Sequence, residues 1–144
     1  MIQKIPSIEK LRSRANTINH RARQRQLTEK VSVWDLLFLI ARSKGCCEWC
    51  SKSLGEKYAF DHICPYRVYG ATNTKSNLAV SCISCNSRKA DKHPASWAMS
   101  MYISGKRTKL IERIMDMYNL DRLVQLCIFK SDEDIDSIIL KRVS

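Results

Sequence analysis

Glycine and proline are scarce, with only 4 and 3 in 144 residues, which argues against a fibrous or long disordered chain. Long apolar runs are missing too. The longest, Leu36-Leu37-Phe38-Leu39-Ile40, is far too short to span a bilayer, so no membrane association is expected. The opening Met1-Ile2-Gln3-Lys4-Ile5-Pro6 has no apolar core of the secretory kind, and an odd cysteine number does not suit a secreted disulfide framework. A cytoplasmic protein with reduced thiols is the expectation. Acidic charge is also short. Against 25 Lys and Arg stand 14 Asp and Glu, a net charge of +11, and a polyanion, most commonly nucleic acid, is the natural partner; solubility by net charge alone and an anionic membrane surface are weaker alternatives.

The hydrophobic fraction of 44% is ordinary and permits a folded core. Seven cysteines are present, at 46, 47, 50, 64, 82, 85 and 127, and four of them form two pairs of one spacing. Cys47-Glu48-Trp49-Cys50 and Cys82-Ile83-Ser84-Cys85 each offer two sulfurs, which together suit one tetrahedral Zn²⁺ at about 2.3 Å. Such a closed site is structural. Cys46 is an alternative partner for Cys50, although the matched spacing favours Cys47. Cys64 has no partner by spacing and reads as a buried thiol.

Between the two knuckles lie the polar residues that bear on chemistry. Asp61 and His62 are adjacent on a stretch, Lys57 to Ile63, that reads as a strand, so their side chains point to opposite faces. One can bind a metal while the other reaches a phosphate. A loop from Cys64 to Ser76 follows, then a short second strand, Leu78-Ala79-Val80, and a short helix from Asn86 that ends before His93-Pro94.

This pattern resembles the HNH endonucleases, also called His-Me finger or ββα-metal nucleases. The resemblance rests on Asp61-His62-Ile63 with Pro65, on Asn77-Leu78, and on Cys82-x-x-Cys85-Asn86-x-x-Lys89, within roughly residues 45 to 93. It implies an α+β, mostly helical fold in which a ββα-metal finger is stapled by a four-cysteine zinc site. It further implies that His62 is the general base, that Asn77 braces the loop and orients the histidine, and that Asp61 and Asn86 hold a catalytic Mg²⁺ or Mn²⁺. Asn86 also suits a helix N-cap. Arg88 and Lys89 stand where a basic residue of the family grips a phosphate beside the scissile bond. Some relatives carry a histidine four residues after the last ligand. Here that place is Ala90, so His93 departs from the pattern. Homing, restriction, junction-resolving and packaging roles all occur among small nucleases of this form.

The flanks divide the chain into three parts. Residues 1–30 hold eight basic residues against Glu9 and Glu29 and read as a basic DNA-contacting arm that DNA itself orders, with Arg21, Arg23 and Arg25 as phosphate contacts; a helix from about Ile8 is also compatible. Residues 31–93 are the nuclease core. They open on a helix over about 33–43, capped by Ser32 and Asp35, whose Trp34, Leu37, Phe38 and Ala41 share one face expected to be buried. Trp34 and Trp49 read as packing residues rather than base-stacking platforms. Residues 94–144 form a helical extension, with helices near 95–102, 108–118, 121–130 and 134–142, and offer a homodimer interface as one option. The rival from another class is a catalytically silent zinc module that only binds DNA. A zinc deaminase lacks its His-x-Glu and Pro-Cys-x-x-Cys here, and a thioredoxin-like role lacks a βαβ context.

Overall fold

Residues 3–143 are described by a computed structural model; Met1, Ile2 and Ser144 lie outside the described residues. Seven helices and one two-stranded sheet are present among them: α1 (Ile8–Gln24), α2 (Val33–Ser43), β1 (Ala59–His62), β2 (Leu78–Ser81), α3 (Ile83–Lys89), α4 (Pro94–Ile103), α5 (Lys109–Met117), α6 (Val124–Cys127) and α7 (Asp132–Val143). The strands are antiparallel, with Asp61 opposite Ala79 and His62 opposite Leu78. β2 leads through Cys82 into α3, which packs back on β1, and these three elements are the ββα finger.

The basic N-terminal stretch is a docked helix rather than a free arm. Ser7 caps it by accepting from the Lys10 N–H, and Leu11, Ala15, Asn19 and Ala22 are buried on one face against the body. The i, i+4, i+8 spacing of Leu11, Ala15 and Asn19 gives the helix a seam to dock with, so its order does not depend on DNA. Arg14 lies over the rings of Tyr58 and Phe60, at 5.3 and 5.6 Å, which ties α1 to the start of β1.

α2 has the bounds the sequence predicts and the full Ser32–Asp35 capping box, an arrangement that contributes about 1 kcal/mol. Its buried face differs from the expected one. Leu36, Leu39, Ile40 and Ser43 are inside, while Trp34 is 76% exposed and Ala41 and Phe38 face outward. The reading of Trp34 as a packing residue is therefore corrected. A run apolar on every side offers two candidate faces, and docking of α1 and β2 selects one.

An ion pair missed in the sequence joins α2 to the finger. Arg42 donates to both Glu48 oxygens, at 2.7 and 2.9 Å, and to the Leu78 carbonyl at 2.8 Å. Glu48 also accepts from the Val80 N–H at 2.7 Å, and its own N–H donates to the Val80 carbonyl at 2.9 Å. The first knuckle is thereby paired to β2 on both sides of one residue. Glu48→Ala is expected to cost about 3 kcal/mol in urea unfolding, because it leaves a half-buried guanidinium without its counter-charge and the buried Val80 N–H unpaired.

After the finger, His93 caps α4 through Nδ1, which accepts from the Ala95 N–H at 3.1 Å, so this histidine is structural. α4 packs on α5 and α7, and Ile111, Ile114, Met115, Ile135 and Ile139 bury their side chains there. Residues expected as one helix over 121–130 form instead a 3-10 turn at Asp121–Leu123 and the short α6, and Phe129 at φ +66° prevents continuation. Apart from Ala22, the buried apolar residues from Leu11 to Ile139 belong to one cluster.

Candidate functional site

The two knuckles meet as the spacing predicts. The sulfurs of Cys47, Cys50, Cys82 and Cys85 all lie within 4.8 Å of one another, with Cys50 and Cys82 at 3.9 Å. Four sulfurs about 2.3 Å from one tetrahedral centre stand about 3.8 Å apart, so the set suits zinc with a contraction of no more than about 1 Å. The Cys85 N–H donates to the Cys82 sulfur at 3.4 Å, which makes Cys82 the N-cap of α3. Without a cation the four thiols cannot ionise together. A hydrogen bond from Cys85 holds Cys47 far below the usual thiol range, while the same bond drives Cys85 up and burial raises Cys50. Cys46 stands outside the cluster, bridged to Ser53 across a turn.

With Cys82 as cap, α3 begins at Ile83, three residues earlier than expected. Asn86 is therefore inside the helix and is not its N-cap. Its half-buried amide makes no side-chain hydrogen bond among the described residues.

β1 presents Asp61 and His62 to different surroundings. Asp61 faces inward and is 7% exposed; its Oδ2 accepts from Trp49 Nε1 at 3.0 Å, and Lys89 Nζ stands 3.3 Å away. Burial pushes its carboxyl above the ordinary range, opposed by Lys89 and by the Trp49 bond. Lys89, expected to grip a phosphate, is fully buried and spends its ammonium on Asp61 and, at 2.7 Å, on the His62 carbonyl. The phosphate-gripping expectation for Lys89 is thus replaced by an internal role. A short helix packed back on the strand carries the lysine of its last turn straight under it. Arg88, one residue earlier, faces outward over the Trp97 ring at 5.5 Å.

Asp61 and Asn86, which the resemblance pairs as ligands of a hard cation, differ in state: both Asp61 oxygens are engaged, by Trp49 and Lys89, while the Asn86 amide is unpaired among the described residues. Asn86 and Lys89 are three residues apart and share a helix face, and Lys89 is the residue touching Asp61. An unpaired amide oxygen and a carboxylate oxygen are donors such an ion takes. Lys89 is its competitor for the carboxylate charge.

His62 is half-buried on the other side. Its Nε2 lies 3.1 Å from Asn73 Oδ1, and the Tyr66 ring packs 4.4 Å from the imidazole. Burial lowers its pKa below the usual 6.5, Lys89 lowers it further, and the Asn73 bond opposes both. The ring is accordingly neutral near pH 7, with Nδ1 bonded to nothing among the described residues. Asn77 holds the loop between the strands: it donates to the Cys64 and Thr72 carbonyls at 3.0 and 2.8 Å and accepts from the Cys64 N–H at 2.8 Å. Asn73 is fully buried and was not among the residues singled out in the sequence.

Of the arm's arginines, Arg21 and Arg25 lie near the site. Both act on the Tyr66 hydroxyl, opposing the upward push that burial gives its pKa. They are four residues apart and share a face, whereas Arg23 emerges on another. All three are exposed. No helix among the described residues is long and apolar enough to cross a membrane.

Comparison with known proteins agrees with this geometry over one stretch. The family model for HNH endonucleases matches residues 47–92, about a third of the chain. No curated protein and no solved structure matches the chain. The matched stretch begins at the first knuckle and ends just past α3, so it contains both cysteine pairs, both strands and every residue of the Asp-His, Asn and Cys-Asn-x-x-Lys pattern. Residues 47–92 thus match the HNH endonuclease domain, and within them four cysteines are placed to bind a metal, consistent with the zinc-containing type.

Proposed function

We propose that this protein is a metal-dependent endonuclease that hydrolyses phosphodiester bonds in double-stranded DNA. The observation that carries the reading is His62: a neutral, fixed imidazole with one nitrogen committed to Asn73 and the other unpaired, on the first strand of an HNH finger. Such a ring takes a proton from water at neutral pH and so acts as general base for attack on phosphorus. Asp61 and Asn86 would hold one Mg²⁺ or Mn²⁺, which supplies charge stabilisation to the departing 3′ oxygen. Asn77 keeps the loop closed over the histidine, and zinc on the four cysteines keeps the finger folded. Arg21 and Arg25, beside Tyr66, hold a strand of the duplex against the site, and Arg23 and Arg88 extend the basic surface.

One finger makes one cut. A monomer nicks, and a double-strand break takes two copies, which could meet through the helices of residues 94–144. Homing, restriction and resolving roles are all consistent with a site that touches backbone rather than base edges. A silent DNA-binding module is the second reading. The Lys89 ammonium on Asp61 is what favours it, since a carboxylate already matched by a cation has less need of another. Supercoiled plasmid separates the two. The zinc-loaded protein with Mg²⁺ or Mn²⁺ should convert it to the open circle, and without divalent cation it should only bind. Duplex binding with no nicking under either metal would establish the silent module instead.

A further inference from the structure

The hydrogen bond between His62 and Asn73 is the end of a longer chain of amides that begins in the backbone. Asn19, buried on α1, donates through Nδ2 to the Val31 carbonyl at 2.9 Å and accepts the Val31 N–H on Oδ1 at 2.8 Å. A backbone N–H cannot become an acceptor, nor a carbonyl a donor, so these two bonds fix which end of the Asn19 amide is oxygen. Asn19 Oδ1 also accepts from Asn73 Nδ2 at 2.9 Å, and the same Nδ2 group donates to the Glu29 carbonyl at 2.9 Å. Both hydrogens of the Asn73 amide are thereby used, one on a side chain already fixed and one on a backbone acceptor. Its Oδ1 is left facing His62 Nε2, as an acceptor only.

Resting on the proposed role of His62, we infer that Asn73 is a positioning residue for the general base, and that the backbone of residues 29–31, acting through Asn19 and Asn73, sets the tautomer of His62. An oxygen facing Nε2 requires Nε2 to carry the proton. The lone pair then resides on Nδ1, the one ring nitrogen without a partner. If the Asn73 amide turned over, its NH₂ would face Nε2, the proton would move to Nδ1, and the ring would offer no base to solvent. The two amides that set the choice are buried, Asn73 at 0% and Asn19 at 9% exposure, and only the His62 end of the network is half-open to water.

The chain contains only three histidines, at 20, 62 and 93, which makes their ring nitrogens readily assignable. Long-range ¹H–¹⁵N spectra of the zinc-loaded full chain at pH 7 should show His62 protonated at Nε2 alone, with a ring N–H resonance sharp enough to survive solvent exchange. A His62 protonated at Nδ1, or one whose ring proton exchanges too fast to see, overturns the inference without any variant. Asn73→Ala should remove the sharp resonance and lower the nicking kcat by about 10- to 100-fold, with the KM for duplex within about threefold of wild type. Asn19→Ala, which leaves Asn73 in place with one anchor fewer, should broaden the resonance and lower kcat by a smaller factor. It keeps the test open if Asn73→Ala fails to fold. Loss of nicking in His62→Ala, combined with an unchanged kcat in a folded Asn73→Ala, would refute the positioning role while leaving the base assignment standing. Unaltered nicking in His62→Ala would remove both.

Discussion

Stripping the metal from the four-cysteine site should unfold the finger, lowering the thermal midpoint by on the order of 20 °C or abolishing a cooperative transition altogether. The sheet consists of two four-residue strands, which is marginal without support. Its support arrives through the knuckles. The first pairs Glu48 with Val80 and hangs Trp49 against Asp61, and the second caps α3. Remove the ion, and buried thiols must share protons among themselves while both anchors come loose. Apparent binding energies of structural zinc run to about 10–16 kcal/mol in isolated fingers, as large as the whole stability of a typical domain. Metal analysis of reduced protein should find about one zinc per chain. Cys47→Ser and Cys82→Ser should each mimic chelation, whereas Cys46→Ser should melt like wild type, since Cys46 lies outside the cluster. A chelated protein that melted unchanged would disprove the structural role of the ion.

The knuckles and the strands were legible because metal ligation and strand alternation both impose short, exact periods. Cys-x-x-Cys leaves little freedom in where its sulfurs go, and a period of two assigns Asp61 and His62 to opposite faces at once. α2 was legible in its bounds, through Ser32 and Asp35, but not in its orientation. Trp34 and Leu36 are equally apolar, and only the docking of α1 and β2 tells which is inside. Lys89 was misjudged for a related reason. A lysine on a short helix ordinarily points to water, and its burial here depends on a carboxylate and a carbonyl waiting on β1, far away in sequence. The Arg42–Glu48 pair and the Asn19–Asn73 bond are likewise products of tertiary approach. One local hint existed. Asn19 sits in a helix interior where asparagine is unfavourable, and a residue that weakens its own helix often serves something outside it.

Lys89 and His62 together give the site its electrostatic character. The ammonium under β1 neutralises Asp61 from the inside and at the same time disfavours a proton on the imidazole next along the strand. Burial is the larger cause of the neutral imidazole and this cation adds to it, while the cation also holds the carboxylate that a catalytic ion would have to share.

Replacing His62 with alanine should lower nicking by about 10²- to 10⁴-fold, or about 3–5 kcal/mol in the barrier, which is the usual range for loss of a general base. Zinc content should not change, because His62 touches none of the four cysteines, and duplex affinity should stay close to wild type, because the exposed Arg21, Arg23 and Arg25 are untouched. Stability should fall by about 1–3 kcal/mol, since Asn73 Oδ1 is left buried without its donor. The pH profile gives an independent check. The base works only when neutral, so wild-type kcat/KM should rise with pH through the His62 pKa and level off above it. Burial and Lys89 both disfavour the imidazolium, which places that rise below 6.5. The same depression acts on folding: the unfolded ring binds its proton more readily than the native one, so this group's contribution to stability grows as pH climbs through the window beneath 6.5 and is constant beyond it. In His62→Ala the residual cleavage should lose this limb. An acid limb centred above 6.5, or a variant cutting within a few-fold of wild type, would mean that another group takes the proton.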